Sequence, residues 1–323
     1  MRSIRPRTNS IWKAHVARIK DQQKFDAYSA RLEAFDQAAQ ALIGLSDAAR
    51  KECFVLQLID SARRIEFLQT KAVRAKSPDL YQPYSGSFDP FGGAAVFDKA
   101  GNRDDAYWLV YLATFCGKHK GDGWNLTEDI YGRFGQGGVW DWAAVNADPG
   151  AFEQWLAESY PEITSAGRSR RFGNHRKFET LKPGPKGLGN SVSTYLAWIG
   201  QYGSHEAMIA NAQANVGQNP QSVFGFLYDE LDQVARFARL GKFDLLCNWS
   251  NLLIAPILPD KAYIKGSTGP VDGAKLLFGN LSIAELEEKS ASLADSLELS
   301  PQGVEDALCN WQKLPSKYRY FKG

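Results

Sequence analysis

Apolar residues recur at three- and four-residue steps through most of this chain, and this spacing limits its fold more than any other feature. In residues 222–240, for example, they fall on one face of a helix. Alternating strand patterns are scarce, and neither a βαβ alternation nor an internal repeat occurs. We therefore predict a mostly α-helical fold, built as one compact unit or as two lobes.

Helix signals also predict where several elements begin and end. Residues 107–115 form a continuous apolar run between Arg103-Asp104-Asp105 and Gly117, which favours a buried helix over a buried strand. Ser282 and Glu285 have the spacing of a capping box. Further helices are predicted at residues 21–45, 47–75, 149–159, 283–297 and 301–312. We expect residues 1–45 to form a basic, helical N-terminal extension and residues 46–323 to form one helical domain.

The charge balance restricts the partners of the chain. Because 38 Lys and Arg are matched by 36 Asp and Glu, the net charge is only +2, which excludes a histone-like polycation but not a local basic surface. No run of 18 apolar residues occurs, so we expect no membrane span. The basic residues 1–12 lack the apolar stretch of a signal peptide. The 9 Trp, 13 Tyr and 18 Phe fit either core packing or stacking on nucleobases.

The cysteines are too far apart to form a recognisable motif. Cys53, Cys116, Cys247 and Cys309 form no CxxC pair and have no histidine at metal-ligand spacing. We expect neither a disulfide framework nor a zinc site, and no cofactor, which fits a reducing cytoplasm. No HExxH, GxSxG or GxGxxG motif identifies another chemistry.

Residues 168–177 (RSRRFGNHRK) carry the densest positive charge, with five basic side chains and one histidine. Arginine forks bind two phosphate oxygens at once, and a nearby ring can stack on a base. We therefore predict phosphate or DNA contacts by Arg170, Arg171, Arg176 and Lys177, and base-pocket roles for Asn174 and His175. The alternative is a solvated loop of ordinary charge.

Residues 237–244 suggest a helix that ends on a glycine turn at Gly241, with Lys242 next and a second helix following at once. In helix-hairpin-helix units, the turn and the following helix N-terminus hold a phosphate. Base-excision enzymes of this design carry a carboxylate about 20 residues past the turn, where it stabilises positive charge on the deoxyribose. Asp260 has this spacing and is the first catalytic candidate, and Asp244 is the second. Either could instead be a solvated or helix-capping acid.

Two further segments are candidates for DNA contacts. The glycine-rich loop Lys265-Gly266-Ser267-Thr268-Gly269 could bind a backbone phosphate or line a base pocket, although it is not a P-loop and could simply connect helices. Near the C-terminus, Asn310, Trp311 and Gln312 could recognise or stack on a base. Trp311 could equally anchor the last helix in the core.

The segments FGNHRKFETL, RLGKFDLLCNW, YIKGSTGPVDGAKLLFG and VEDALCNWQKLPSKYRYFKG occur in this order. Together they resemble the alpha-glutamyl/putrescinyl thymine pyrophosphorylase family, clade 3 in particular. The resemblance implies a helical fold similar to that of helix-hairpin-helix DNA glycosylases, and extrusion of a base from DNA into a pocket. It carries residues 172–177 and 265–270 over as DNA or pocket residues. Asp260 follows from the wider glycosylase pattern, and Asp244 from the RLGKFD segment.

The resulting functional prediction is a DNA glycosylase-like enzyme that excises a modified or hypermodified base, from phage DNA in bacterial antiphage defence. One alternative is a base-hypermodifying enzyme that acts on pyrophosphorylated hydroxymethyluracil and transfers an amine or amino acid to thymine. Another is a non-catalytic binder of modified DNA. Each of them implies DNA as the partner, no membrane, and a cytoplasmic location.

Overall fold

The computed structural model describes residues 19–165 and 167–320. These residues form α-helices and no β-strand, which confirms the prediction of a mostly α fold. The basic residues 1–18 lie outside the described residues. The described residues separate into two compact units: a terminal unit, which combines residues 19–64 with residues 261–320, and a central unit from Ile65 to Asp260. The division predicted between residues 45 and 46 stays a prediction.

The terminal unit packs its helices around one apolar core, which includes Leu32, Phe54, Leu293 and Trp311. Its helices are α1 Ile19–Phe35, the first part of α2 Ala48–Arg74, α12 Gly269–Phe278, α13 Ile283–Leu297 and α14 Pro301–Trp311. The predicted capping box is confirmed, since Ser282 and Glu285 exchange side-chain and backbone hydrogen bonds at the start of α13. The predicted helix at residues 21–45 is too long, because α1 ends at Phe35 and a π-helical turn follows.

In the described residues, the central unit contains the rest of α2 and nine further α-helices. They are α3 Pro90–Lys99, α4 Arg103–Cys116, α5 Asn125–Tyr131, α6 Trp142–Ala147, α7 Pro149–Ser165, α8 Leu188–Gly200, α9 His205–Val216, α10 Pro220–Glu230 and α11 Arg239–Asn251. As the apolar run predicted, α4 is the buried helix of this unit, and it ends where Gly117 adopts a φ of 67°. Trp108 and Tyr111 of α4 stack on each other within an aromatic core.

The helix predicted at residues 222–240 is wrong in its length. α10 ends at Glu230, a 3-10 turn spans Leu231–Gln233, and Val234 is extended. The apolar residues on its predicted face are nevertheless buried: Phe224, Leu227, Leu231, Val234 and Phe237. The helical spacing therefore continues across the break because both pieces pack into one core.

Within the described residues, no helix is both long and apolar enough to cross a membrane. No group of three His, Cys, Asp or Glu side chains there could hold a metal ion. The four cysteines are free thiols, and Cys53, Cys116 and Cys247 are buried.

Candidate nucleic-acid interface

The basic stretch predicted at residues 168–177 is anchored on the end of α4. The backbone N–H of Gly173 donates to the carbonyl oxygen of Cys116 at 2.9 Å. A Cβ at Gly173 would lie 2.8 Å from the carbonyl carbon of Gly117, so only glycine fits this approach. We name residues 168–176 the arginine part of this surface and residues 177–186 the lysine part.

Carboxylates from α5 neutralise the first two arginines. Asp129 Oδ1 accepts from Arg168 Nη2 at 2.8 Å, and its Oδ2 accepts from Arg170 Nε at 2.5 Å. Glu128 Oε2 lies 2.7 Å from Arg168 Nη2. Because the side chains of Asp129 and Arg170 are almost fully buried, their pairing fixes the segment to the central unit.

Arg171 is held by a different acid. Asp122 accepts from Arg171 Nη2 at 2.7 Å and from its Nε at 2.9 Å, and it also accepts the backbone N–H of Arg171 and the hydroxyl of Ser169. The side-chain hydrogen bond from Arg171 holds the pKa of Asp122 far below its usual range. Asp122 thus remains ionised, and its charge offsets that of Arg171.

Arg176 joins the arginine part to α11. Its guanidinium is buried, and Nη2 donates to Asp244 Oδ2 at 2.7 Å. Asp244, the second catalytic candidate, is therefore already bonded to a cation. A cation there reduces the ability of this carboxylate to stabilise a second positive charge.

The predicted glycine turn at Gly241 requires a correction. Gly241 and Lys242 lie inside α11, so the helix does not end there. A Cβ at Gly241 would lie 3.4 Å from Arg176 Nη1 and 3.2 Å from a ring carbon of Phe237, which explains glycine at this position by close packing. Lys242 Nζ donates to Asp232 Oδ1 at 2.6 Å and lies 4.0 Å from the ring centre of Tyr228, so it serves the interior of the unit.

The lysine part differs, because its cations face solvent. Lys177, Lys182 and Lys186 are exposed. The predicted base-pocket residues Asn174 and His175 precede them and are also exposed. Asn174 and His175 lie in a short 3-10 helix, Asn174–Arg176, and Lys177 follows this helix directly.

Two cavities flank the arginine part. One, of about 390 Å³, is lined by Tyr160, Thr164, Ser169, Glu179 and Thr180 among others. The second, of about 510 Å³, is lined by Tyr84, Asp129, Phe134 and Glu162 among others. Arg168 and Arg170 line both. These volumes fall in the range of small-molecule sites, roughly 300–1,000 Å³.

Backbone strain is concentrated beside the larger cavity. Tyr84, Arg133 and Phe134 have φ values of 64°, 48° and 56°, a region that side chains rarely adopt. The backbone N–H of Tyr84 donates to Glu128 Oε1 at 2.8 Å, which fixes the ring at the cavity. Burial, followed by the charge of Asp129, raises the pKa of the Tyr84 hydroxyl. This hydroxyl therefore stays protonated.

The terminal unit brings together two of the predicted segments. In the glycine-rich loop, Ser267 Oγ donates to the carbonyl oxygen of Ile264 at 2.6 Å, while Lys265, Gly266 and Thr268 are exposed. A Cβ at Gly269 would lie 2.8 Å from Cys309 Sγ and 3.5 Å from Gln312 Nε2. The loop and Gln312 are thus neighbours, as a shared DNA contact requires.

Asn310 and Trp311 have different surroundings. Asn310 lines a cavity of about 290 Å³ with Gln57, Leu314 and the cations Lys313, Lys317 and Arg319. Trp311 is 1% exposed, lies 5.1 Å from Phe54 between ring centres, and donates from Nε1 to the carbonyl oxygen of Arg50 at 3.2 Å. Trp311 therefore lies where the alternative interpretation expects it, as an anchor of the last helix in the core.

Asp260 is the last residue of the central unit and is partly exposed. Neither Asp260 nor Asp244 is among the residues lining the two cavities beside the arginine part. The carboxylates at those cavities are Asp129, Glu162 and Glu179, which the sequence patterns did not identify. The one available signal was the adjacent pair Glu128-Asp129 on an apolar helix, since buried acids require a cation.

The family comparison covers most of the chain. The model of the family described as alpha-glutamyl/putrescinyl thymine pyrophosphorylase clade 3 matches residues 49–323. The chain belongs to this family. The family name denotes an enzyme that acts on thymine, which is the activity class of this group. No curated protein and no solved structure matches the chain significantly.

Proposed function

We propose that this family member binds DNA and acts on a modified thymine that is extruded from the helix into a cavity beside the arginine part. The observation that carries the proposal is the pair of cavities beside the arginine part, whose linings combine arginines, aromatic rings and carboxylates. Membership of a family named for thymine chemistry supports the choice of base. An extruded base needs such a pocket, with aromatic faces and hydrogen-bonding groups.

The first reaction we propose is excision. The bond from deoxyribose C1′ to the base nitrogen breaks, the base leaves with a proton, and water supplies the hydroxyl on C1′. A carboxylate stabilises the positive charge that develops on the sugar. Asp260 is the first candidate for this role and Asp244 the second; neither lines the two cavities, so the carboxylate would act on the sugar outside the cavity that holds the base. Removal of hypermodified thymine from phage DNA would serve antiphage defence, and such an enzyme would work in the cytoplasm, where that DNA enters.

Direct detection of products tests the excision. The purified protein is incubated with unmodified DNA, DNA containing 5-hydroxymethyluracil or 5-hydroxymethylcytosine, and glucosylated phage DNA. Free bases are measured by mass spectrometry, and abasic sites by mild alkaline cleavage. We expect release of one base with cleavage at its position. DNA binding without release from any substrate would contradict excision of these bases.

Two substitutions separate catalysis from binding. Asp260→Asn should abolish release with little change in DNA affinity, because the carboxylate stabilises the positive charge that develops on the sugar as the base departs. Asp244→Asn should mainly lower stability, since this carboxylate accepts from Arg176. If Asp244→Asn alone lost turnover and kept the melting temperature of the unchanged protein, Asp244 and not Asp260 would be the catalytic carboxylate.

The family name favours a second candidate, amine transfer to a pyrophosphorylated hydroxymethyl group of thymine. In that reaction an amine nitrogen bonds to the methylene carbon, the carbon–oxygen bond to pyrophosphate breaks, and the amine loses a proton. Pyrophosphorylated hydroxymethyluracil DNA, offered with putrescine or glutamate, tests it. Pyrophosphate release and a heavier thymine would establish transfer, whereas binding without either product would leave a non-catalytic reader of modified DNA.

A further inference from the structure

Phe178 is the most exposed large apolar side chain in the described part of the chain. Its exposed fraction is 80%, compared with 58% for Phe67 and 60% for Leu253. Leaving a whole aromatic ring in water sacrifices the stabilisation that burial would give. Single exposed apolar side chains are common on protein surfaces, so the partner of this ring has to be argued from its surroundings.

The chain on both sides of Phe178 is fixed. On one side Arg176 is buried and bonded to Asp244. On the other, Glu179 Oε2 accepts from Arg236 Nε at 2.9 Å, and the backbone N–H of Glu179 donates to the carbonyl oxygen of Arg176 at 2.9 Å. The ring is thus presented from a rigid base, which reduces the entropy that binding would lose.

The surroundings of the ring are positively charged. The ammonium of Lys177 lies 5.0 Å from its centre, and Lys182 and Lys186 are exposed nearby in the chain. Between residues 171 and 186 the one acid is Glu179, which is paired with Arg236. An aromatic ring among lysines has the chemistry that binds phosphates and stacks on bases.

Phe178 also precedes a segment of the chain that lines a cavity. Glu179, Thr180 and Leu181 follow Phe178 directly and line the cavity of about 390 Å³. An extruded base in this cavity would leave a gap in the DNA stack, and Phe178 is one residue away from the lining of the cavity. Apolar side chains that enter such steps hold the duplex open.

We infer that Phe178 inserts into the base stack of double-stranded DNA beside the extruded nucleotide, while Lys177, Lys182 and Lys186 contact the flanking phosphates. This inference rests on the DNA binding of the proposed function and adds the residue that opens the duplex. It concerns a positioning residue and assigns no chemistry to it.

The chain offers a matched control for the test. Phe67 is also an exposed phenylalanine with a lysine ammonium above its ring, Lys71 at 4.8 Å, but Glu66 precedes it in the chain. Duplex DNA with 2-aminopurine beside the modified thymine reports unstacking by a rise in fluorescence. We expect this rise with the unchanged protein, with Phe178→Trp and with Phe67→Ala, and its loss with Phe178→Ala, which should bind about tenfold more weakly.

The outcomes separate the two proposals. An undiminished fluorescence rise with Phe178→Ala would overturn the role of this ring while leaving DNA binding intact. Equal losses for Phe178→Ala and Phe67→Ala would also overturn it. No binding of the unchanged protein to any DNA would overturn the proposed function itself. Thermal unfolding checks that each variant is folded. We expect all of them to fold, because substitutions at exposed positions usually change stability little.

Discussion

The arginine part and the lysine part are neighbours in one basic stretch, yet the cations of the first are paired with carboxylates and those of the second face solvent. Arg168, Arg170, Arg171 and Arg176 each bond to a carboxylate from elsewhere in the central unit. Lys177, Lys182 and Lys186 face solvent. The difference shows that a dense run of positive charge can be mostly internal structure. Only the part without matched acids then offers its positive charge to DNA phosphates.

The largest expected effect belongs to Arg176. Arg176→Ala leaves the Asp244 carboxylate without its guanidinium, and breaking a buried pair in this way costs about 3 kcal/mol of unfolding free energy. Chemical denaturation measures this loss, with Lys177→Ala as the control that should change stability by less than about 0.5 kcal/mol. Equal stabilities of the two variants would erase the distinction between the two parts.

Arg170 should show a smaller loss. Arg170→Ala leaves Asp129 with Arg168 as its remaining cation, so we expect a loss of about 2 kcal/mol of unfolding free energy. The salt dependence of DNA binding should be unchanged, since Arg170 is occupied by Asp129. A clearly shallower salt dependence in a stable variant would show instead that Arg170 contacts phosphate.

The substitution of Asp122 should have the smallest effect, and it should strengthen a property of the protein, DNA binding, where the other two substitutions weaken one. Asp122→Asn releases the charge of Arg171, so DNA should bind more tightly and the salt slope should steepen by about 1. Acid does not mimic this change: the folded pKa of Asp122 lies well below its unfolded value of about 3.9, so the pair is complete above that pH and is lost only in stronger acid. DNA titrations at pH 7 and pH 5 check both points. Tighter binding by the unchanged protein at pH 5 that is absent in Asp122→Asn would contradict them.

Much of the fold follows from local signals. α4 was predicted because an acidic start, an apolar run and a stopping glycine all lie within one short segment, and α13 because its capping box lies next to its apolar stripe. The interpretation of Gly241 failed for a tertiary reason. Glycine there makes room for Arg176, which lies 65 positions earlier in the chain. The local sequence does not indicate that neighbour.

The site was predicted only in part, because its pairing also depends on residues that are distant in the chain. The basic residues were visible as a run, but their partners Asp122 and Asp129 lie some 40 to 50 positions away in the chain. Spacing assigned roles to Asp244 and Asp260, whereas folding placed Asp129 and Glu179 at the cavities. Pairing over such distances depends on how α5 and the segment before it, which carries Asp122, pack beside the arginine part, and no local pattern specifies this packing.

The most direct test of this account compares the salt dependence of DNA binding in three proteins. They are the unchanged chain, a variant with alanine at Lys177, Lys182 and Lys186, and a control of equal charge loss with alanine at the exposed residues Arg74, Lys76 and Lys275. We expect the lysine variant to lose about 2 to 3 units of salt slope and the control to lose less than about 0.5. Equal slopes for the two variants, or an unchanged slope in the lysine variant, would show that DNA does not bind through the lysine part.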